Sequence, residues 1–279
     1  MNDLNLKDFS IGNDQSMTLM GGMNVLESRD LAMMVAEKFK SVSEKLNINY
    51  IFKGSFDKAN RSSINSFRGP GLDDGLKILQ EVSNEFSIPT ITDIHEPNQA
   101  ESVSEVCELI QIPAFLARQT DLVKAAAKTK SIIQFKKPQF LSAPEMGNII
   151  EKCESAGNNK ITLCERGNSF GYNNLVVDTL NFQILKSLKR PTIFDVTHSL
   201  QLPGGLGNAA GGRREYLLSL AKAGISQGIA GLFLEAHPEP DSAKCDGPCA
   251  LKLEMIEPFL TQIKQLDDFI KSQETLEIS

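Results

Sequence analysis

Hydrophobic and polar positions along the chain follow two periods that alternate with each other. Short runs rich in β-branched residues, typical of buried strands, are each followed by a longer segment whose apolar residues recur at helical spacing. This alternation occurs about eight times. The predicted strands are 16–22, 50–55, 90–94, 109–115, 132–138, 160–166, 192–197 and 229–236.

The segment after the first predicted strand shows the helical pattern. Its mostly apolar stripe consists of Leu31, Met34, Val35, Lys38 and Phe39. Ser28 is a candidate N-cap, and Asp30 places a negative charge in the first turn, where it interacts favourably with the helix dipole. We predict that this helix packs on the outside of a barrel.

The repeated units predict an α/β fold, a single closed (β/α)8 TIM barrel. Strands that are apolar on both faces and separated by helices indicate a parallel sheet, and this number of units favours closure over an open sheet. A length of 279 residues allows two domains or one large barrel, but no linker divides the chain. We therefore predict one domain over 1–279, with residues 1–15 as an N-terminal extension. Whether this extension forms a hairpin at the lower end of the barrel is left open by the sequence.

The overall charge argues against two classes of partner. The formal net charge is -6 and the isoelectric point is near 5.3, whereas proteins that bind nucleic acid or membrane surfaces gain affinity from a net basic face. We expect no nucleic-acid and no membrane partner. Any anion-binding site must therefore be local.

The cysteines and the amino terminus indicate a cytoplasmic protein. The five cysteines lack the spacing of a disulfide framework, and Cys245 and Cys249 lack the second pair of a structural zinc site. The first residues contain no basic region followed by an apolar run, and no stretch of about 18 apolar residues occurs.

Polar residues concentrate at the carboxyl ends of the predicted strands, where the active sites of such barrels lie. The strand ends and the loops after them carry Asn24, Lys53, Lys58, Arg61, Asp93, His95, Arg118, Lys136, Arg166, His198, Glu235 and His237. Six of these residues are Lys or Arg, and like charges in one enclosed mouth become favourable chiefly when multiply charged anions bind. The set predicts an enzyme for small phosphorylated substrates, although pairing with an acid explains any single cation about equally well.

Several segments supply the candidate anion-binding groups. Residues 52–63 are interpreted as a phosphate-binding loop that offers Lys58, Arg61, Ser62 and Ser63. Strand alternation allows only one of Lys136 and Lys137 to face the lumen. Arg166 directly precedes a glycine, which suits a bidentate grip on a phosphate or carboxylate. The glycine-rich segment 201–216 is interpreted as a lid over the mouth.

His198, Glu235 and Asp246 form a further set. An imidazole and two carboxylates at strand ends are compatible with three metal ligands, but a tight site for a borderline metal usually has another nitrogen or sulfur donor. Hydrogen bonding to a polyol explains the same residues equally well. The residue types alone leave both interpretations open.

Eight segments together resemble one known family. They are MGGMNVLES (20–28), FKGSFDKANRSS (52–63), FLARQTDL (115–122), KKPQF (136–140), CERGNSFGY (164–172), IFDVTHSLQ (193–201), LFLEAHPEP (232–240) and KCDGPCAL (244–251). In this order and over nearly the whole chain, they closely resemble the 3-deoxy-D-manno-octulosonate 8-phosphate synthases, also named 2-dehydro-3-deoxyphosphooctonate aldolases. The resemblance implies a condensation of phosphoenolpyruvate with D-arabinose 5-phosphate that releases inorganic phosphate, on the route to lipopolysaccharide.

The resemblance also assigns roles to residues. It implies that phosphoenolpyruvate is held by Lys53, Lys136, Arg166 and the backbone from Ala114 to Ala117. It implies that the sugar phosphate is held by Lys58, Arg61 and Ser62, with Arg118 from a neighbouring subunit of a homotetramer. Asn24, His198 and Asp246 line the aldehyde end and are, with Lys136, the implied catalytic residues, while Glu235 is implied to bind substrate.

The family has a metal-dependent branch and a metal-independent one. Members of the first carry cysteine at the position of Asn24, completing a site with the equivalents of His198, Glu235 and Asp246. An amide oxygen replaces a thiolate poorly around a transition metal. We therefore predict activity without a metal and without any other cofactor.

Two alternatives remain for this sequence. The first is 3-deoxy-D-arabino-heptulosonate 7-phosphate synthase, which uses erythrose 4-phosphate on the same barrel, but that enzyme resembles Lys-Pro-Arg-Thr-Ser where this chain has KANRSS. The second is a non-catalytic anion-binding barrel. The complete set of cations at the strand ends argues against it.

Overall fold

A computed structural model describes residues 3–61, 63–204, 211–274 and 276. Eight parallel strands form a closed barrel, because the first strand pairs with the eighth and the seventh pairs with the eighth. The strands are β1 Thr18–Val25, β2 Asn49–Ser55, β3 Thr90–Asp93, β4 Leu109–Ile112, β5 Ile132–Lys136, β6 Ile161–Glu165, β7 Thr192–Asp195 and β8 Gly231–His237. The predicted fold class and all eight predicted strands are confirmed.

Eight α-helices alternate with these strands. They are α1 Arg29–Leu46, α2 Leu72–Phe86, α3 Ala100–Val106, α4 Thr120–Ala127, α5 Met146–Ser155, α6 Leu180–Ser187, α7 Leu217–Ile225 and α8 Ile256–Lys271. None of the helices in the described ranges is both long and apolar enough to cross a bilayer.

The two largest differences from the predicted strand ends have local reasons. β4 ends at Ile112, three residues earlier than expected, because Pro113 has no N–H to donate to the ladder and residues Ala114–Leu116 form a 3-10 turn. β1 continues to Val25, beyond the predicted end, through a shift of its register against β2 between Gly22 and Val25. This irregularity carries Asn24 to the mouth of the barrel.

Helix α1 begins as its sequence predicts but buries a different stripe. The Ser28 hydroxyl accepts a hydrogen bond from the backbone N–H of Leu31 at 3.2 Å, which confirms the N-cap. Its buried residues are Ala32, Val35, Ala36, Phe39, Val42 and Ser43. The predicted place of Met34 in the stripe is wrong, since this side chain is 52% exposed. Small alanines let the helix approach the strands closely, and they contribute little to a pattern based on large apolar residues.

The barrel has an apolar layer outside the sheet and, inside it, a graded lumen, whose lining changes from apolar to charged side chains. The outer layer packs the strands against the helices. The lower lumen is filled by Met20, Ile51, Ile91, Leu109, Ile132, Cys164, Ile193, Ala230 and Phe233. Because alternate residues of a strand face the same side, the position two residues after Ile51, Ile91 and Ile193 is Lys53, Asp93 and Asp195 respectively. The lumen therefore changes from apolar to charged within one step along these three strands.

The N-terminal extension forms a hairpin beside this apolar layer. Strand Leu4–Leu6 pairs antiparallel with Phe9–Ile11, and Leu4, Leu6 and Ile11 join the lumen cluster. Asn13 fastens the hairpin to the barrel, because its side chain donates to the Arg190 carbonyl at 3.2 Å and accepts from the Thr192 N–H at 2.9 Å. The amino-terminal end of the lumen is thereby covered by apolar side chains.

We predict that Ile11→Ala destabilises the protein by about 3 kcal/mol, because it leaves a cavity in a closed apolar layer. Ile11 is fully buried, whereas Asp8 lies on the same hairpin and is exposed. Urea unfolding should show the loss for Ile11→Ala and little change for Asp8→Ala. Equal stability of the two variants would mean that the hairpin does not contribute to the core.

Candidate active site

A cavity of about 330 Å³ opens at the carboxyl ends of the strands. Its wall is formed by the loops that follow β2, β4, β5, β6, β7 and β8. The structure brings four of the six predicted cations to this wall, namely Lys58, Arg61, Lys136 and Arg166. Cationic side chains from distant parts of the sequence therefore share one pocket.

On one side of the site, two ammonium groups share the Asp93 carboxylate. Lys53 is fully buried, and its Nζ lies 3.2 Å from Asp93 Oδ1 and 2.6 Å from the Ser55 hydroxyl. Lys58 Nζ lies 3.9 Å from Asp93 Oδ2 and 2.9 Å from the same hydroxyl. Two positive charges face one negative charge here, which leaves an excess of positive charge.

The pKa values of these three groups follow from burial and pairing. Burial lowers the pKa of Lys53, and the attraction of Asp93 opposes this only in part. Burial also acts to lower the pKa of Lys58, but Asp93 and Glu235 outweigh it and raise this pKa. Burial acts to raise the pKa of Asp93, yet Lys58 and Lys53 hold it well below its usual range. Asp93 is therefore ionised at neutral pH.

On the other side, Asp195 bridges two further groups. Its Oδ2 lies 2.5 Å from Lys136 Nζ and 2.8 Å from His198 Nδ1. Burial acts to raise the pKa of Asp195, but His198 and Lys136 lower it below its ordinary value. Burial acts to lower the pKa of His198, but the carboxylates of Asp195 and Glu235 raise it to about 9. His198 is therefore an imidazolium at neutral pH.

Asn24 joins the predicted His198, Glu235 and Asp246 set at the centre of the site. Its Nδ2 donates to Glu235 Oε2 at 2.6 Å and to Asp246 Oδ2 at 3.0 Å, and it lies 3.2 Å from His198 Nε2. Burial acts to raise the pKa of Asp246, but the hydrogen bond and charge of His198 lower it. Asn24 Oδ1 and Glu235 Oε1 are buried without a partner in the described residues, so they offer acceptors to a hydroxyl or a water.

Arg166 is presented to the cavity by the turn after β6. Its Nη2 donates to Gln201 Oε1 at 2.8 Å, while its buried Nη1 has no partner among the described residues. Burial lowers the pKa of this guanidinium. Glu165 holds the turn by accepting from the N–H groups of Arg166 at 3.0 Å and Gly167 at 2.6 Å. The guanidinium group therefore has N–H donors available to an anion.

Strand alternation selects Lys136 over Lys137 as the residue of the lumen. Lys137 turns to the other side of β5, where its Nζ lies 3.6 Å from Glu165 Oε1 and 3.0 Å from Asn168 Oδ1. It is fully buried there, and burial lowers its pKa. Lys137 therefore supports the loops that carry the site and does not line the cavity.

Two other predicted residues, Arg118 and Ala117, do not line the cavity. Arg118 is exposed and lies outside the cavity, and Ala117 is buried in the outer core, whereas Ala114 and Phe115 of this backbone segment line the pocket. The Arg61 guanidinium contacts the Cys245 thiol at the rim. Ser62 lies outside the described residues.

The segment interpreted as a lid is described only in part. Residues 205–210 lie outside the described ranges. Pro203 and Gly204 line the cavity, and strand Gln201–Leu202 pairs antiparallel with Gly211–Gly212. The residues on both sides of 205–210 therefore lie at the mouth of the barrel. That the segment closes over the cavity remains a prediction.

Sequence reasoning missed several polar residues of the cavity. They are Asn60, Gln111, Gln139, Asp195, Gln201 and Lys244. Asp195 could have been found, because it follows Ile193 by two residues on a strand and the buried cations require a carboxylate. Neutral glutamines carry no such signal, since their charge does not distinguish them from surface glutamines.

Comparison with known proteins confirms the family that the motifs indicate. The model of the DAHP synthetase I family matches residues 2–272. A 2-dehydro-3-deoxyphosphooctonate aldolase of Pseudomonas putida (strain GB-1) is 63% identical over 270 residues, which cover 97% of this chain and 96% of that protein. A protein of the same name from Ectopseudomonas mendocina (strain ymp) is 62% identical over 96% of both chains. Another, from Pseudomonas fluorescens (strain SBW25), is 62% identical over 97% of this chain and 96% of that one.

The relatives are more specific than the family model, because they match at high identity over nearly the full length of both chains. The chain belongs to the DAHP synthetase I family, and within it to the relatives named 2-dehydro-3-deoxyphosphooctonate aldolase.

Proposed function

We propose that this enzyme condenses phosphoenolpyruvate with D-arabinose 5-phosphate and water, giving 3-deoxy-D-manno-octulosonate 8-phosphate and inorganic phosphate. The name shared by the close relatives specifies this product class. The observation that carries the proposal is the convergence of Lys58, Arg61, Lys136 and Arg166 on one cavity. Two phosphates and a carboxylate supply the negative charge that makes such a convergence favourable.

In this proposal phosphoenolpyruvate is held by Lys136 and Arg166 together with Lys53. Arg166 Nη1 has no partner in the part of the chain that the structure describes, so the guanidinium has donors for a bidentate contact. As the carbon–oxygen bond to phosphate breaks, negative charge grows on the departing phosphate. Cations that are already in place stabilise this charge without a cost of reorganisation at that moment.

Lys58 and Arg61 hold the phosphate of the sugar, together with Ser62 outside the described residues. The aldehyde then lies near Asn24 and His198. The enol carbon attacks the aldehyde carbon while water adds to the adjacent carbon of phosphoenolpyruvate. The aldehyde oxygen becomes a hydroxyl with a proton from the His198 imidazolium, which is protonated at neutral pH because its pKa is raised to about 9. The added water loses one proton as it becomes the second new hydroxyl, and this proton restores the imidazolium.

The donor set around Asn24 supports a reaction without a metal. A metal at this site would have to lie between Glu235, Asp246 and His198, where the amide nitrogen of Asn24 now donates to both carboxylates. An amide nitrogen that donates hydrogen bonds is not a ligand for a transition metal. The residues thus fit a metal poorly, and Asn24 orients water or substrate instead.

A homotetramer in which Arg118 completes a neighbouring site explains why this arginine lies outside its own cavity. Exposed aromatic side chains follow the adjacent strands β4, β5 and β6, with Phe115 at 56%, Phe140 at 58% and Phe170 at 70% exposure. Such apolar side chains are typical of surfaces that associate.

All five cysteines are free thiols, which supports a location in the reducing cytoplasm.

We predict that the purified protein, in excess chelator, releases phosphate from phosphoenolpyruvate when D-arabinose 5-phosphate is present. Erythrose 4-phosphate should give little release, because its phosphate lies one carbon closer to the aldehyde and cannot reach Lys58 and Arg61 in the same pose. Released phosphate is measured colorimetrically. Release with the four-carbon sugar alone would overturn the substrate, and activity only after metal is added would overturn the interpretation of Asn24.

We predict that two impaired variants restore each other when they are co-expressed. Arg166→Ala should lower kcat/KM for phosphoenolpyruvate by about 100-fold through the loss of charge-assisted hydrogen bonds. Arg118→Ala should be impaired because its neighbour's site is incomplete. Mixed tetramers contain sites with an intact Arg166 and a neighbour's intact Arg118, so the mixture should exceed the sum of the separate activities.

The control for this mixture is Lys124→Ala, an exposed residue of the same α4 region. Lys124→Ala should be active alone. When it is co-expressed with Arg166→Ala, the activity of the mixture should not exceed the sum of the two separate activities. Sedimentation velocity reports the assembly. A monomer, or a mixture no more active than its parts, would contradict the shared site.

The pKa of His198 predicts a dependence of stability on pH. It is raised from an ordinary 6.5 to about 9 in the folded protein, so the stabilisation is complete below about pH 6.5 and is lost as the pH rises through about 9. The amount is on the order of 3 kcal/mol. Urea unfolding from neutral to alkaline pH should show this fall for the wild type and a shallower fall for His198→Ala. Parallel curves would show that His198 is not protonated in the folded state.

A further inference from the structure

Phe233 on β8 places its ring in the lumen among three cationic groups. The side chain is fully buried and belongs to the lumen cluster. Lys136 Nζ lies 3.1 Å from the centroid of the ring, and Lys53 Nζ lies 5.7 Å from it. The His198 ring is 5.8 Å away at an interplanar angle of 44°. The cations of the site thus surround one aromatic side chain.

The face of a phenyl ring carries partial negative charge and attracts a cation within about 6 Å of its centroid. This attraction is stronger where water is excluded, and the side chain of Lys136 is only 5% exposed. The ammonium group also lies 2.5 Å from Asp195 Oδ2. Lys136 is therefore held between a carboxylate and a ring face.

The two contacts differ in their effect on the charge that a substrate meets. Asp195 is shared between Lys136 and His198, so its charge does not serve Lys136 alone. A second carboxylate in place of the ring would hold the ammonium but would also cancel its charge. The neutral ring holds the ammonium without adding a negative charge that would oppose an incoming anion.

We propose that Phe233 is a positioning residue for the reaction, whose ring face holds the Lys136 ammonium where it meets phosphoenolpyruvate. This role rests on the proposed function, which assigns Lys136 to that substrate. The flexible four-carbon stem of lysine does not fix its ammonium by itself, and the ring restricts it without a compensating negative charge.

Fluorinated phenylalanines at position 233 separate this role from core packing. Successive fluorines withdraw electrons from the ring face while the shape changes little. The value of kcat/KM for phosphoenolpyruvate should fall stepwise, by about tenfold for the trifluoro ring. The fall should lie mainly in the KM for phosphoenolpyruvate, with the KM for arabinose 5-phosphate unchanged.

The matched control is the same series at Phe135, the residue before Lys136 on β5. Phe135 is equally buried but belongs to the outer layer that faces the helices. Its fluorination should leave both KM values unchanged. A flat series at Phe233, or an equal rise of both KM values there, would overturn the positioning role.

Nuclear magnetic resonance of lysines labelled at the ε-carbon gives a measurement that is independent of turnover. An ammonium stem over a ring face should give ε-protons shifted upfield, identified by the signal that Lys136→Met removes. Phe233→Leu should return this signal to the ordinary lysine position. An unshifted signal in an active wild type would refute the role of Phe233 alone, whereas a wild type that releases no phosphate would refute the proposed function.

Discussion

The pairing of two buried aspartates with cationic side chains is the interaction on which the site depends. Each aspartate lies near two cationic groups: Asp93 near Lys53 and Lys58, and Asp195 near Lys136 and His198. An unpaired charge in the lumen would be costly, because little water reaches it. The carboxylates therefore make these cations tolerable in the fold. Arg61 and Arg166 line the same cavity and form no ion pair among the described residues, so they add positive charge to it. The remaining positive charge draws anionic substrates into the mouth.

The graded lumen gives this charge a rigid base. Apolar side chains fill its lower part, and the hairpin adds Leu4, Leu6 and Ile11 beneath them. One alternation further along β2, β3 and β7, the side chains of Lys53, Asp93 and Asp195 are charged and form ion pairs inside the lumen. Residues on a closed sheet move little, so the reacting groups keep the distances that a condensation of two flexible phosphates requires.

The sequence predicted which residues at strand ends line the cavity better than it predicted contacts between residues far apart in the chain. Lys58, Arg61, Lys136 and Arg166 line the cavity as their positions at strand ends suggested. Residues whose partner is far away in sequence were harder to interpret. Arg118 follows the same rule of position but lies outside the pocket, since a place after a strand end does not specify where the following turn carries a side chain.

The sequence by itself determined the eight-fold alternation, the closed parallel barrel that follows from it, the edge at which the chemistry lies and, through its motifs, the family. These features depend on local periodicity and on short segments. Only the tertiary structure decided that Asn24 donates to Glu235 and Asp246, which lie 211 and 222 residues away, and that Phe233 lies under Lys136. Such contacts depend on the stagger of strands around the barrel and on distances across its lumen, and no local pattern of residues encodes those distances.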